Sequence, residues 1–194
     1  MTKLRKLRIG LNMSKISLNL FQKQKQLIKL EISSQENTTI KSLAFHQLIS
    51  LDDIKLSCQS KKHLSIEKEA LNFISHKTNG IISVTFSHCS FQGDQFEFWF
   101  DNGTQRHIKI IFSQSNINYL NEKVFKPFLN DRNYDHTIKF DFYSVIDCED
   151  CRNFWLIKEN KQIKVENPHC KGQYESLLFD EDVKANLTLK CKWF

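Results

Sequence analysis

Four cysteines near the C-terminal end have the residue type and spacing that can bind a metal ion. Cys148 and Cys151 are separated by two residues, Cys170 follows after 18 intervening residues, and Cys191 follows after another 20. Two thiolates with this short spacing can bind one zinc ion, and two more complete a tetrahedral site. The pattern predicts Zn²⁺ as a cofactor. Its ligands would be Cys148, Cys151, Cys170 and Cys191, with His169 as a substitute for one of them.

The alternative for these cysteines is a set of reduced, half-buried thiols in an intracellular protein. A redox role for the Cys148 and Cys151 pair is disfavoured, because Glu149 and Asp150 between them would raise the pKa of both thiols. Disulfides stay open as a third alternative, although no secretory signal supports them. The cysteines alone therefore do not predict an enzyme.

Other catalytic signatures are not found in the sequence. The 7 histidines are scattered and none lies in a metal-binding HExxH pattern. The sequence also has no glycine-rich phosphate loop and no GxSxG nucleophile motif. We therefore expect a protein that binds and does not catalyse, with no evident small-molecule substrate.

The first 30 residues are strongly basic. They hold eight of the 28 basic residues and none of the 22 acidic ones, so the remainder, with 20 basic and 22 acidic residues, is nearly neutral. Such a segment can contact nucleic-acid phosphates, although a solvated basic strand or a transit peptide would have the same composition. The predicted phosphate contacts are Lys3, Arg5, Lys6, Arg8, Lys23 and Lys25.

A cluster of aromatic residues gives a second candidate contact for nucleic acid. On a strand, Phe96, Phe98 and Phe100 share one face, which is typical of a core, and Trp99 lies on the other. Trp99 beside the cationic Arg106 and Lys109 predicts a platform on which bases of a single strand can stack. The alternative is that Trp99 packs beneath a helix or a loop.

The elements that must position these residues are mostly predicted strands. Apolar residues alternate at 9–13, at 16–20 and over 27–32, which predicts a basic β-hairpin. A second hairpin is predicted from 96–100 and 108–112, joined by an Asp-Asn-Gly turn. Further strands are expected at 54–58, 63–66, 81–86, 137–146, 153–157, 162–165 and 187–193.

Two helices are predicted between these strands. The first covers 40–51 with Thr38 or Thr39 as its N-cap, and the second has Ser115 as its N-cap and Pro127 near its end. The predicted fold class is therefore α+β, mainly antiparallel sheet with about two helices. We expect one domain over 1–194, with 1–30 as a basic hairpin or arm and 146–194 as a cysteine-bearing C-terminal part. No internal repeat is evident.

The order of these elements resembles one half of a DNA sliding clamp. The resemblance rests on the segment Thr39 to Leu51, followed by 54–56 and 64–66, which is similar in its hydrophobic spacing to proliferating cell nuclear antigen and the checkpoint-clamp subunits. The predicted hairpin over 98–112 also resembles the central hairpin of an OB-fold, a fold that sometimes carries a zinc ribbon. Both resemblances imply a role in nucleic-acid metabolism.

The sequence therefore predicts an intracellular, non-enzymatic binding protein that contacts DNA or RNA, or a complex that holds it. The nucleus is the favoured compartment and the mitochondrion the second. The alternative is a structural subunit of a large assembly without nucleic-acid contact. No run of apolar residues is long enough for a membrane-spanning helix, so no membrane span is expected.

Overall fold

The largest element of the fold is a seven-stranded sheet, here called the front sheet, in which every pair of neighbouring strands is parallel. The structure, a computed structural model, describes residues 4–11, 14–34, 37–58, 64–73, 80–91, 106–141 and 143–192. The strands lie side by side in chain order. They are β1 (Lys6–Leu11), β3 (Lys29–Ser34), β5 (Asp53–Cys58), β7 (Ile81–Ser87), β9 (His107–Ser113), β11 (Thr137–Phe140) and β13 (Val165–Glu166).

Between consecutive front strands the chain makes a short strand in one of two smaller sheets. The first has β2 (Lys15–Ile16), β4 (Thr38–Ile40) and β6 (Leu64–Ile66), all parallel. The second has β8 (Ser90–Phe91), β10 (Asn116–Ile117), β12 (Val145–Ile146), β14 (His169–Cys170) and β15 (Gln173–Leu177). Only β15 is antiparallel to its neighbour.

This alternation makes the molecule a parallel β-solenoid of seven coils. Successive front strands begin at residues 6, 29, 53, 81, 107, 137 and 165, so each coil takes 23 to 30 residues. Neighbouring coils bury one another's apolar side chains, which is how stacked repeats form a continuous core. The repeat is not evident in the sequence because the coils differ in length and share little beyond apolar alternation.

The core is formed by side chains that point inward from alternate positions of the front strands. From β3 onward, the residues in one register row, including Leu30, Ile54 and Ile110, are at most 1% exposed. The next inward row brings aromatic rings into contact: Phe86 stacks on Phe112 with centroids 5.7 Å apart, and the tilted ring of Phe140 lies 5.4 Å from Phe112. The stacked coils therefore share one core rather than separate small ones.

The predicted antiparallel fold class is wrong. Side chains alternate between faces in parallel and antiparallel strands alike, so the alternation located strands without showing how they pair. The predicted N-terminal hairpin is wrong for the same reason, since β1 pairs with β3 in parallel from Lys6 beside Lys29 onward. The intervening chain makes β2 and a 3₁₀ helix over Leu18–Phe21.

The second predicted hairpin also fails. Its arm at 96–100 and its turn at 101–103 lie outside the described residues, but its other arm is β9. That strand is bonded in parallel to β7 on one edge and to β11 on the other. Because a strand has only two edges, β9 has no edge left for a hairpin partner.

The helix predicted over 40–51 is replaced by β4 and a series of turns. Backbone hydrogen bonds here join residues three positions apart, as in turns. The N–H of Ala44 donates to Lys41 O at 3.1 Å, and the N–H of Leu48 donates to Phe45 O at 3.0 Å. Leu43 has a φ of 58°, which is outside the helical range. The apolar residues of this segment have helical spacing because each of the consecutive turns buries one side against the core.

Three α-helices lie in the C-terminal half of the described chain: α1 (Glu122–Leu129), α2 (Phe154–Lys158) and α3 (Glu181–Lys190). The second predicted helix is confirmed only in its later part, as α1. Its predicted first turn is β10, and Asn121, not Ser115, accepts the capping bond from the N–H of Lys123. The strands predicted at 153–157 and 187–193 are wrong, since α2 begins at Phe154 and α3 continues through 187–190. Among the described residues, no helix is both long and apolar enough to cross a membrane.

Candidate binding surface on the front sheet

The outward side of the front sheet, here called the front face, carries two charged rows. The strand register aligns the first row across the sheet: Lys6, Lys29, Asp53, Ser83, Lys109 and Thr137. The second row lies two residues further along each strand: Arg8, Glu31, Lys55, Thr85, Ile111, Lys139 and Glu166. Side chains with period two point to the same side of a strand, so consecutive coils place both rows on one surface.

A groove of about 680 Å³ runs along this face. It begins beside Lys6 and Arg8 on β1 and reaches Ser113 and Asp141 at the end of β9 and β11. The groove crosses five front strands and ends at Asp141, directly after β11, so its walls are fixed by the backbone ladder of the sheet. Such a surface is preorganised for binding.

Ion pairs neutralise part of the charge on the front face. Arg8 lies 3.5 Å from Glu31, and Lys29 lies 3.1 Å from Asp53 on the next strand. Lys109 reaches over β11 to Glu166, with 3.1 Å between nitrogen and oxygen. Exposed pairs of this kind contribute less than about 1 kcal/mol each to stability, so a ligand can compete for them at small cost.

The front face nevertheless keeps a surplus of positive charge. Its strands carry six basic and three acidic residues in these two rows, and each acidic residue already lies beside one base. Lys6, Lys55 and Lys139 form no ion pair with any residue that the structure describes. The face is therefore of mixed charge with a net positive balance.

The structure places the predicted phosphate contacts apart from one another. Lys6 and Arg8 lie on the front face, as does Lys109 from the predicted stacking platform. Lys23 and Lys25 are exposed in the chain between β2 and β3, where they line a separate depression of about 470 Å³ together with Leu4. Arg5 is exposed directly before β1, and Lys3 lies outside the described residues.

Arg106 is placed in the interior and not on the front face. Its side chain is 1% exposed and donates hydrogen bonds to Leu51 O and Asp52 Oδ1, both at 2.8 Å, and to Ile81 O at 3.2 Å. The guanidinium thus joins the chain before β5 to the start of β7. Arg106 is not at the surface here, and Trp99, its predicted partner, lies outside the described residues.

The six cysteines form three disulfides. Cys148 pairs with Cys170 and Cys151 with Cys191, while Cys58 at the end of β5 pairs with Cys89 on the next coil. In this pairing the four predicted zinc ligands carry no thiolate, which is the form that binds zinc. Within the described ranges no group of three or more His, Cys, Asp or Glu residues could hold a metal ion. The zinc site stays a prediction that applies only to a reduced protein.

Sequence reasoning missed Lys29, Lys55 and Lys139 as members of the candidate surface. Each lies between apolar residues of a strand, so its outward orientation was visible in the alternation. What could not be seen was that parallel coils align these positions in rows. That alignment depends on the pairing register, which is a long-range property.

Comparison with known proteins gives no match. No family model, no curated protein and no solved structure matches the chain. The resemblances to a sliding clamp and to an OB-fold therefore stay predictions.

Proposed function

We propose that this chain is a protein-binding module whose front face is its contact surface. The proposal rests on the charge of the front face. This rigid parallel sheet carries more basic than acidic residues, and the acidic ones are ion-paired with neighbouring bases. The face spans seven strands, which at about 4.8 Å per strand is about 29 Å across. With strands of about 15 to 20 Å it covers about 500 Å² in projection, which approaches one side of an ordinary protein interface.

The mixed charge of the front face favours a protein over a nucleic acid as the partner. Protein–DNA interfaces are much more positively charged than protein–protein interfaces. Here three acidic residues stand among six basic ones, and Ile111 adds a partly exposed apolar side chain near the centre. Alternating opposite charges give register and specificity in a protein complex, whereas Glu31, Asp53 and Glu166 would repel phosphates.

The disulfides support a place for this module in an oxidising compartment. Three pairs of cysteines at bonding distance are typical of secreted or luminal proteins and are rare in the cytosol and the nucleus. In such a compartment the expected partner is another protein with an acidic patch. Nucleic acid, the ligand predicted from the basic segment, becomes the outcome that would contradict this proposal.

The test compares three immobilised forms of the full chain: the wild type, the double variant Lys55→Glu and Lys139→Glu, and Lys171→Glu. Lys171 is a matched control, because it is exposed in the turn after β14 and has no ion pair with a described residue. After incubation with nuclease-treated native extract, we expect the wild type and Lys171→Glu to retain the same protein in similar amounts. The double variant should retain about tenfold less of that protein. Retention that depends on intact nucleic acid, or equal retention by the double variant, would refute the proposal.

A further inference from the structure

The first strand of the front sheet has one edge that no strand of the described ranges covers, here called the open edge. β1 is the outermost strand in the sheet order and is bonded to β3 only. Among the described residues, no strand pairs with its other edge. An open edge of six residues is a template to which a further strand can bind through its backbone.

The register identifies the backbone groups on this open edge. Arg5 O accepts a hydrogen bond of 3.0 Å from the N–H of Lys29, so the backbone of Arg5 faces β3. Successive residues of a strand direct their N–H and C=O groups to opposite edges. The groups of Lys6, Arg8 and Gly10 therefore point away from β3. A Cβ placed on Gly10 would meet no atom within 4 Å, so the front face beside this residue is open.

The apolar core is also incompletely covered at this end. Leu7 and Ile9 point inward but are only half-buried, whereas their register partners Leu30 and Ile32 are 1% and 2% exposed. At the opposite edge of the sheet Val165 is 1% exposed, so that end is closed. An added strand beside β1 would bury Leu7 and Ile9 in the same way.

The charge around the open edge decides what can bind there. Residues 4–30 contain seven basic residues and no acidic one. A second copy of the chain would bring the same basic segment to the edge and would be repelled. An acidic segment would instead be attracted, with its carboxylates beside Lys6 and the other cations of β1.

We propose that an extended acidic segment of a partner protein binds along β1 and adds an eighth strand to the front sheet. Its backbone bonds to Lys6, Arg8 and Gly10, and its apolar side chains cover Leu7 and Ile9. Residues in the same register row share a face, so acidic residues at alternate positions lie beside Lys6 and Arg8. This mode of recognition takes its affinity from main-chain bonds and its specificity from alternate side chains. The edge adjoins the front face and shares Lys6 and Arg8 with it, but strand addition uses the backbone groups of β1, so the inference does not depend on the function proposed for the front face.

The first measurement is backbone hydrogen exchange of the full chain, with and without the peptide acetyl-Glu-Val-Glu-Val-Glu-Val-Glu-amide. We expect the amide protons of Lys6, Arg8 and Gly10 to gain about tenfold or more in protection. Those of Leu7 and Ile9 already face β3 and should change less. The control peptide with Lys in place of each Glu should give no protection. Protection spread equally over all five amides, or protection without peptide at high protein concentration, would overturn the proposal.

The second measurement uses substitutions at one position. Arg8→Pro removes a backbone N–H on the open edge and leaves the β1–β3 ladder intact, whereas Arg8→Ala removes the same charge but keeps the N–H. We expect the dissociation constant for the peptide to rise about tenfold more in Arg8→Pro than in Arg8→Ala. Equal affinity of the two folded variants would overturn strand addition. A third outcome is that the Lys55→Glu, Lys139→Glu variant loses peptide binding while Arg8→Pro keeps it. The peptide would then bind to the front face, which would contradict this inference but not the proposed function.

Discussion

The imidazole of His136 accepts a hydrogen bond from the backbone N–H of Ile108 through Nδ1, with 3.0 Å between the two nitrogens. His136 is buried, and its ring stacks on Phe128 with 4.5 Å between centroids. Nδ1 can accept this bond only when it carries no proton, so the folded state requires the neutral imidazole. Burial lowers the pKa of His136 below its ordinary value, against the opposing effect of Asp131.

This relationship predicts a loss of stability in mild acid. The folded pKa of His136 is the lower one, so the unfolded chain binds more protons once the pH falls below about 6.5. The stability is present above that pH and is lost as the pH falls through the folded pKa. The measurement is urea unfolding over a series of pH values, which should show a falling free energy of unfolding toward acid.

The control variant is His136→Asn, whose side-chain oxygen can accept the N–H of Ile108 at every pH. We expect its free energy of unfolding to depend less on pH than that of the wild type below about 6.5. An unchanged pH dependence in the variant would show that other groups, such as carboxylates, cause the acid effect.

Replacement of Arg106 should destabilise the fold. Arg106→Met removes the hydrogen bonds of the guanidinium to Leu51 O and Ile81 O and its ion pair with Asp52, so we expect a loss of about 3 kcal/mol in the free energy of unfolding. The matched control is Arg132→Met, at an exposed arginine without a described ion pair, which should stay within about 0.5 kcal/mol of the wild type. Denaturant unfolding of both variants measures these changes. If Arg106→Met lost as little stability as Arg132→Met, the buried hydrogen bonds of Arg106 would not contribute to the stability of the fold.

Thiol counting distinguishes the disulfides from the zinc site. The denatured protein should react with no iodoacetamide before reduction and should gain labels on all 6 cysteines after reduction. Elemental analysis of the same sample should then find no stoichiometric zinc. Four labelled cysteines without reductant, together with one zinc ion per chain, would instead support the site predicted from Cys148, Cys151, Cys170 and Cys191.

Binding to single-stranded DNA tests the role predicted from the basic segment. If the partner is a protein, we expect only non-specific affinity, with a dissociation constant of about 1 to 100 µM at physiological salt. Tighter binding would support the nucleic-acid function on one further condition. Joint substitution of Lys3, Arg5, Lys6 and Arg8 must reduce the slope of log affinity against log salt by an amount that corresponds to about four phosphate contacts. Titration by fluorescence anisotropy at several salt concentrations measures both quantities.

Local patterning predicted where strands lie but not how they pair. Alternating apolar residues correctly located the segments that became β3, β5, β6, β7 and β9, because a strand buried on one side must alternate. Whether two such strands run parallel depends on the route of the chain between them. The helix expected at 40–51 failed for a related reason, since its apolar residues face the core from consecutive turns.

The candidate surface could be predicted only in part for the same reason. Lys6 and Arg8 were identified from charge alone, and they do lie on the front face. Lys55 and Lys139 became candidates only when the register aligned them with the first coil. The burial of Arg106 had no local signal, because its partners Leu51 and Asp52 are more than 50 positions away in the sequence.

The most direct test of the front face as a contact surface is site-specific photo-crosslinking. A photoreactive phenylalanine analogue is placed at Ile111, in the middle of the front face, and in a second sample at Leu189, which is 74% exposed on α3. With the native partner present, we predict a crosslinked protein adduct from position 111 and none from position 189. Crosslinking from position 189 alone, or to nucleic acid from position 111, would contradict the proposal that the front face binds a protein.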